Sequence, residues 1–220
     1  MTSQDSGRSR PSPESSWRPH DAVPPGLPDD LFARGDAPMT KAEVRAVTMS
    51  AARLRPAHRV LDVGAGTGSM TVEAALLCPD REVVAVERDP AALEVLRLNV
   101  ERFELANVTV VDGYAPDVFE DTSVFAPGSF DCVLVGGSGG KLPKILEDAA
   151  GLLVPSGRIV CNTICIETTA TVTAALRKPP WADFSCSQVA VSRGVSAGPL
   201  LRFEALNPVW VTTAVSGGAA

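Results

Sequence analysis

The segment HRVLDVGAGTGSMTVEAALLC, residues 58–78, constrains the fold of this chain more than any other. VLDV is a short apolar run, and Gly64, Gly66 and Gly68 follow it at alternate positions before helical spacing of apolar residues sets in. A strand that enters a helix through a glycine turn is half of a βαβ unit, which commits the chain to a parallel sheet. Such sheets are covered on both faces, so the remaining strands should also be short apolar runs. EVVAVE, NVTVVDG, FDCVLVGG and GRIVCNTI meet that requirement, and helical segments separate them: PAALEVLRLNVERFEL, KLPKILEDAAGLL and ETTATVTAALR. CSQVAVSR and FEALNPVWVTT close the chain as two strands of an antiparallel hairpin, which places one antiparallel strand at the sheet's edge region. In PMTKAEVRAVTMSAARL, Thr40 stands three residues before Glu43, the spacing of a capping box that opens a helix.

The ends differ from this pattern. Residues 1–25 are rich in Ser, Pro and charge and read as a disordered leader, 26–213 as the folded domain and 214–220 as a frayed tail. Acidic residues outnumber Lys and Arg by 26 to 20, for a net charge of −6, which argues against a protein built to grip a nucleic-acid backbone. No apolar run reaches the roughly 18 residues of a membrane span. Five cysteines without a Cys-x-x-Cys pair, four of them in apolar surroundings, read as buried free thiols of a reducing cytoplasm. With His20 and His58 as its histidines, the chain offers no recognised metal-ligand spacing, so no metal is expected.

The glycine turn is not a dinucleotide fingerprint, because Ser69 stands where G-x-G-x-x-G needs its last glycine. Asp62, just before the turn, would repel a pyrophosphate but suits a ligand with a cationic amino-acid end, which describes S-adenosylmethionine. Glu87 closes the second strand, where a carboxylate can accept both ribose hydroxyls, and Asp112-Gly113 end the third, near the adenine. The expected cofactor site is Asp62, Gly64, Ala65, Gly66, Thr67, Gly68, Glu87, Arg88, Asp112, Gly113, Tyr114 and Ala115, with Thr40 at its rim. The fold class is then a class I S-adenosylmethionine-dependent methyltransferase, Rossmann-like, with a seven-stranded, mostly parallel sheet and a C-terminal antiparallel hairpin.

A second glycine-rich turn, VGGSGGK, follows the fourth strand. It fails as a phosphate loop, since Val135 replaces the first glycine and Leu142 the magnesium-binding hydroxyl. Gly136, Gly137, Ser138, Gly139 and Gly140 instead form a backbone nest ahead of a helix, able to bind anions without net positive surface, with Lys141 as reinforcement.

GLPDDLFARGDAPMTKAEVRAV, LDVGAGTGSMTVEAA, VAVERDPAALEVLRLNVERF, VGGSGGKLPKILEDA, GRIVCNTICIET and ALNPVWVTT follow one another in an order that resembles the CbiT family. These are decarboxylating precorrin methyltransferases of cobalamin biosynthesis, equivalent to the C-terminal half of CobL. The specific signals are RGDAPMTK, GGSGG and NPVW, and the resemblance spans residues 26–213. It implies methylation of carbon 15 of a precorrin or cobalt-precorrin with loss of carbon dioxide from the ring C acetate, and S-adenosylhomocysteine as a product. It also implies a separate CbiE-like carbon-5 methyltransferase, a homotetramer, and a cytoplasmic location. The GGSGG turn then becomes a substrate loop.

Other positions carry two readings each. Met39 and Thr40 either cap the cofactor pocket or, for Thr40, only cap the helix. Asn162 and Thr163 either face the substrate or are ordinary strand-end polar residues. Glu167 is either a general base or an exposed helical glutamate, and Arg193 and Arg202 either meet carboxylates or are solvated charge. Asn207-Pro208 reads as a bulge or bend in an edge strand, with Trp210 in the core or a subunit contact. A class I methyltransferase acting on RNA or another small molecule, and an inactive cofactor-binding scaffold, are the alternatives to the precorrin enzyme.

Overall fold

A computed structural model describes residues 25–217; the leader expected at 1–25 and the last three residues lie almost wholly outside the described part. The elements run α1 (Ala42–Ala52), β1 (Val60–Val63), α2 (Ser69–Leu77), β2 (Val83–Glu87), α3 (Pro90–Arg102), β3 (Val108–Asp112) and β4 (Phe130–Val135). They continue with α4 (Leu142–Leu152), β5 (Leu153–Thr163), α5 (Ile166–Leu176), β6 (Trp181–Val189), β7 (Ser192–Ala197), β8 (Leu200–Ala205) and β9 (Val209–Ser216). Seven strands form one sheet in the order β3-β2-β1-β4-β5-β9-β6, and β7-β8 form a separate ribbon. β1 to β5 are parallel, and β9 lies antiparallel between β5 and β6. Strand order reverses between β1 and β4, so a crevice opens at their carboxyl ends.

The apolar runs are central because they are buried on both faces: Val60, Leu61, Val83, Val84, Val133 and Leu134 are wholly inaccessible. One face packs on α4 and α5 through Ile145, Leu146, Val172 and Leu176, the other on α1 and α2 through Met49, Met70 and Ala74.

Four sequence expectations change. The closing hairpin exists as β6 and β9, but residues 192–205, partly assigned to those strands, form the β7-β8 ribbon inserted between them. β9 is internal and runs to Ser216, past the boundary expected at Thr213; Asn207-Pro208 therefore lies in the turn before it, not in an edge strand. Trp210 is half-buried, opposite Thr163 and Gln188. Three cysteines rather than four are buried (Cys78, Cys132 and Cys161), since Cys165 caps the exposed start of α5 and Cys186 lies on β6, the edge strand. Burial pushes the Cys78 and Cys161 thiols up to about 12 and Cys132 in the same direction.

The capping box does not form. Lys41 is the N-cap of α1, and Thr40 makes no capping hydrogen bond. Instead Asp29, from the segment ahead of the helix, accepts the Ala42 N–H at 2.9 Å, while the Glu43 carboxylate pairs with Arg193 of the ribbon at 2.6 Å. A carboxylate at a helix N-terminus serves the unpaired amides whether it comes from nearby or from far along the chain. The same Asp29 pairs with Arg45 of α1 at 2.9 Å, and Arg45 pairs with Glu73 of α2 at 2.7 Å. Arg45 is fully buried, lies 4.6 Å over the Phe32 ring and also donates to the Thr40 and Leu27 carbonyls. Glu73 accepts the Gly26 and Leu27 amides, so residues 26–41 are strapped across α1 and α2 by ionic contacts.

Removing one partner of a buried ion pair leaves an uncompensated charge, at a cost of about 3–5 kcal/mol. Arg45→Ala should lower stability by about that amount in urea denaturation. A loss below about 1 kcal/mol would show that water replaces the guanidinium in the strap.

Candidate active site

At the carboxyl edge of the sheet the first glycine turn joins β1 to α2. Gly64, Gly66 and Gly68 all take positive φ, at 69°, 57° and 79°. At Gly64 a Cβ would stand 2.5–2.6 Å from the backbone of Gly137, and at Gly68 one would collide with Leu96. The two glycine turns predicted separately are thus in contact, main chain against main chain. At Gly66 the space is open, its nearest neighbour being the Pro38 carbonyl at 3.9 Å.

Glu87 ends β2 beside this turn. One carboxylate oxygen accepts the Gly66 N–H at 2.8 Å and the other the Arg88 and Asp89 amides at 2.8 and 2.9 Å. Asp62 is buried within β1 and accepts the Thr71 hydroxyl at 2.6 Å. Thr67 is buried, and its carbonyl accepts from Asn99 of α3 at 2.8 Å. Asn99 also accepts the Ala33 N–H at 2.7 Å, so it ties the strap to the glycine turn. Sequence reasoning missed Asn99, Asp29, Arg45 and Glu73. For Asn99, Arg45 and Glu73 the available signal was a polar residue on a largely apolar helix face; Asp29, in the segment ahead of α1, carried none.

A cleft of about 140 Å³ opens between the turns. Val63, Gly64, Val86, Glu87, Arg88, Gly113, Tyr114, Ala115, Gly137, Ser138 and Gly139 line it, with Ile145 behind. Six of the thirteen expected cofactor residues (Gly64, Glu87, Arg88, Gly113, Tyr114 and Ala115) therefore converge with three of the expected substrate-loop residues. Gly113 lacks room for a side chain because Val118 sits where its Cβ would go, and Asp112 is exposed at the end of β3. Ala65 packs instead against the cluster of Ala85, Leu93 and Leu96. A larger groove of about 690 Å³ lies between α1 and strands β6 and β9, where Arg53, Arg158 and Ser185 line it. It holds neither glycine turn nor a strand-end carboxylate, so the smaller cleft is the candidate site.

Several expected residues go elsewhere. Lys141 is no free counter-charge: its ammonium meets both Asp117 oxygens at 2.9 Å and lies 4.2 Å over the Tyr114 ring. Arg88 covers the Tyr114 ring at 4.7 Å. Met39 is buried with Leu27, Phe32, Val72 and Phe103, away from the cleft. Asn162 and Thr163 point to opposite faces of the sheet, as neighbours in a strand must. Asn162 donates to Thr48 at 3.0 Å, while Thr163 shares a hydroxyl contact with Thr169 at 2.7 Å. Glu167 is exposed in the first turn of α5. Arg193 is held by Asp29 and Glu43, and Arg202 pairs with Glu204.

The cleft suits an adenosyl ligand: an apolar floor, a carboxylate at its end, and glycines wherever a side chain would fill the space. A glycine turn at the reversal of a 3-2-1-4-5 sheet, an acid closing β2 and an antiparallel strand inserted beside β5 together define a class I S-adenosylmethionine-dependent methyltransferase. Residues 30–215 match the model of the precorrin methyltransferase domain. A Salmonella typhimurium protein named cobalt-precorrin-6B C(15)-methyltransferase (decarboxylating) is 39% identical over 186 residues, 84% of this chain and 93% of its own. The crystal structure of precorrin-6y C5,15-methyltransferase from Geobacter metallireducens superposes with a TM-score of 0.80 at 34% identity, covering 87% of this chain and 98% of that one. That of precorrin 8W decarboxylase from Methanobacterium thermoautotrophicum gives 0.78 at 32%, covering 86% and 98%. The chain belongs to the precorrin methyltransferase family.

Two measurements test this geometry. At Gly64 any side chain is strained by about 1–3 kcal/mol in the backbone alone and must also push Gly137 away. Gly64→Ala should therefore weaken S-adenosylhomocysteine binding at least about tenfold by calorimetry, while unchanged affinity would mean that the turns are free to separate. Burial, helped by the charge of Glu87 and opposed by Thr71, pushes the Asp62 carboxyl from 3.8 up to about 6. Folding then takes up a proton in that interval, so this group's contribution to stability falls as pH rises through it. Asp62→Asn should remove that decline, as read from urea denaturation between about pH 4 and about pH 7.

Proposed function

We propose that this chain methylates carbon 15 of a precorrin or cobalt-precorrin and releases the ring C acetate carboxyl as carbon dioxide, in cobalamin biosynthesis. The contact between Gly64 and Gly137 carries the proposal, because a ring held at the GGSGG loop lies directly against a methyl donor held at the first turn. S-adenosylmethionine supplies the electrophilic methyl group, and S-adenosylhomocysteine is its product. In this reading Glu87 accepts the ribose hydroxyls and the Gly64–Gly68 turn receives the amino-acid end, a reading supported by the position of Glu87 at the end of β2. Within the Gly136 to Gly140 loop, Ser138, Gly139 and Gly140 offer main-chain amides to ring carboxylates, since those of Gly136 and Gly137 bond the Val63 carbonyl.

Little acid–base chemistry is asked of the protein. The ring carbon is nucleophilic through conjugation, and the macrocycle can accept the electron pair left by carbon dioxide. Alignment is the remaining requirement, and holding two reactants in line supplies roughly 7–11 kcal/mol of a barrier. This suits a cleft whose walls are main chain and apolar side chains.

A homotetramer and a separate CbiE-like carbon-5 methyltransferase belong to the same proposal, as does a cytoplasmic location. Leu200, Leu201 and Phe203 of the ribbon are 72%, 65% and 71% exposed, a surface that self-association would cover. Among the described residues no helix is long and apolar enough to cross a membrane.

Incubation with S-adenosylmethionine and the carbon-5-methylated precorrin should give a product one methyl heavier and one carbon dioxide lighter by mass spectrometry. An unchanged ring mass would refute the activity. Glu87→Ala should weaken S-adenosylhomocysteine binding at least about tenfold, since charged hydrogen bonds contribute about 1.5–3 kcal/mol each. Equal affinity would remove Glu87 from the site.

A further inference from the structure

Tyr114 does more in this structure than line the cleft. Its ring is clamped between the Arg88 guanidinium at 4.7 Å and the Lys141 ammonium at 4.2 Å, and its hydroxyl donates to the Gly139 carbonyl. Lys141 is held in turn by both oxygens of Asp117 at 2.9 Å. Gly139 has φ 53°, and a Cβ there would stand 2.5 Å from the Tyr114 ring, so only glycine lets the loop come this close. One side chain thus fastens together the turns that follow β2, β3 and β4.

The space beneath it is small. The cleft holds about 140 Å³ and is open to solvent, whereas pockets that hold drug-sized ligands span roughly 300–1,000 Å³. A cofactor that buries itself there must displace a wall. Val63 and Val86 cannot move, because they are core residues of central strands. The Gly64 and Gly137 main chains are fixed by ladder hydrogen bonds to the Val86 and Val63 carbonyls. Tyr114 can move: it is half-buried, its partners are a surface arginine, a half-exposed lysine and one carbonyl, and such contacts are individually weak. Gly140 follows with φ 90° and open space where a side chain would be, so the loop beyond has room to shift.

We propose that Tyr114 pins the GGSGG loop in the free protein and that cofactor entry displaces it, releasing the loop to take the ring's carboxylates. The methyl donor then binds before the ring, and Tyr114 is a positioning residue for the substrate loop. The inference rests on the function proposed above for the identity of the two ligands. Its physical core is a coupling between two adjacent sites through one displaceable side chain.

The test compares the full chain with Tyr114→Phe, which keeps the ring and loses the hydrogen bond to Gly139. Cobyrinic acid, a stable corrin polycarboxylate, is titrated by its visible absorbance with and without saturating S-adenosylhomocysteine. The wild-type protein should bind it at least about tenfold tighter with S-adenosylhomocysteine present. Tyr114→Phe should show less than about a twofold difference, and should itself bind S-adenosylhomocysteine at least about tenfold tighter than wild type, because entry no longer has to break the pin. Equal binding with and without S-adenosylhomocysteine in the wild type, or undiminished coupling in Tyr114→Phe, overturns the inference. If neither protein binds the corrin, the proposed substrate has failed, and limited trypsin digestion decides the pin alone. S-adenosylhomocysteine should then speed cleavage after Lys141 in the wild type by at least about threefold and leave the rate in Tyr114→Phe unchanged. Unchanged or slower cleavage in the wild type overturns the pin.

Discussion

Gly64 and Gly137 meet with no side chain between them, and the site exists because of that contact. β1 and β4 are hydrogen-bonded neighbours, so the loops that leave them start about one strand spacing apart. Side chains on both loops would fill the crevice that the sheet topology opens there. Glycine at position 64 lets one loop lie against the other and leaves the cleft to one side, whereas a Cβ at Gly137 would make only ordinary contacts of 3.6 and 3.7 Å with Gly64. The cost is conformational: a chain with glycines at both turns loses more freedom on folding than one with ordinary residues. The ladder bonds from the Gly64 amide to Val86 and from the Gly136 amide to Val63, each 2.9 Å, offset part of it by continuing the sheet's pairing into the turns.

A second constraint is electrostatic. Asp29, Arg45, Glu73, Glu43 and Arg193 join residues 26–41 to α1, α2 and the ribbon through contacts of 2.6–2.9 Å. Burial works to raise the Asp29 carboxyl, but hydrogen bonds and charge from Arg193 and Arg45 outweigh it and hold the group below its ordinary value. Desolvating this many charges returns little net stability compared with packed apolar side chains. What it does provide is a single position for the strap, because each charged group is satisfied in only one arrangement. That position brings the Pro38 carbonyl over Gly66 and holds Ala33 to Asn99, so the strap roofs the cofactor turn. An apolar strap could slide across the helices; an ionic one is fixed in register.

The fold was legible because its signals are local. VLDV before three glycines, the apolar strands, and the helix over PAALEVLRLNVERFEL each follow from a few neighbouring residues; in the structure Asp89 caps that helix by accepting the Ala92 N–H at 2.9 Å. The candidate cleft was partly legible for a related reason: strand ends gather at one edge of a parallel sheet, so knowing the strands places Glu87, Gly113 and Gly137 together. Where the sequence misled, a distant group displaced a local one. Thr40 and Glu43 have capping-box spacing, but Asp29 takes the helix amide and Arg193, 150 residues away, takes the glutamate. Lys141 looked like a free cation because Asp117 is remote in sequence. The ribbon was hidden because β7 and β8 bury little, so no alternation of apolar and polar residues marks them.

The pairing of cations changes how a chain with a net charge of −6 must hold a ring carrying many carboxylates. Lys141, Arg193 and Arg202 each have an acidic partner already, so their charge is largely neutralised at home. Surface pairs of this kind contribute only about 0–1 kcal/mol, which means that a ring carboxylate could exchange for the partner at small cost but with small gain. The main-chain amides of Ser138, Gly139 and Gly140 face no charged competitor, whereas those of Gly136 and Gly137 already bond the Val63 carbonyl. The loop from Gly136 to Gly140 has no side chain larger than Ser138, and Gly139 and Gly140 take the positive φ that turns successive amides toward one side. Beyond the ladder bonds of Gly136 and Gly137, the Tyr114 hydroxyl ties the loop to the rest of the protein at Gly139. Under the proposed function, ring binding at this loop is governed less by surface charge than by whether the loop's backbone is free to reorganise around the ligand. Salt should accordingly screen ring binding far less than it would in a site built from unpaired lysines and arginines.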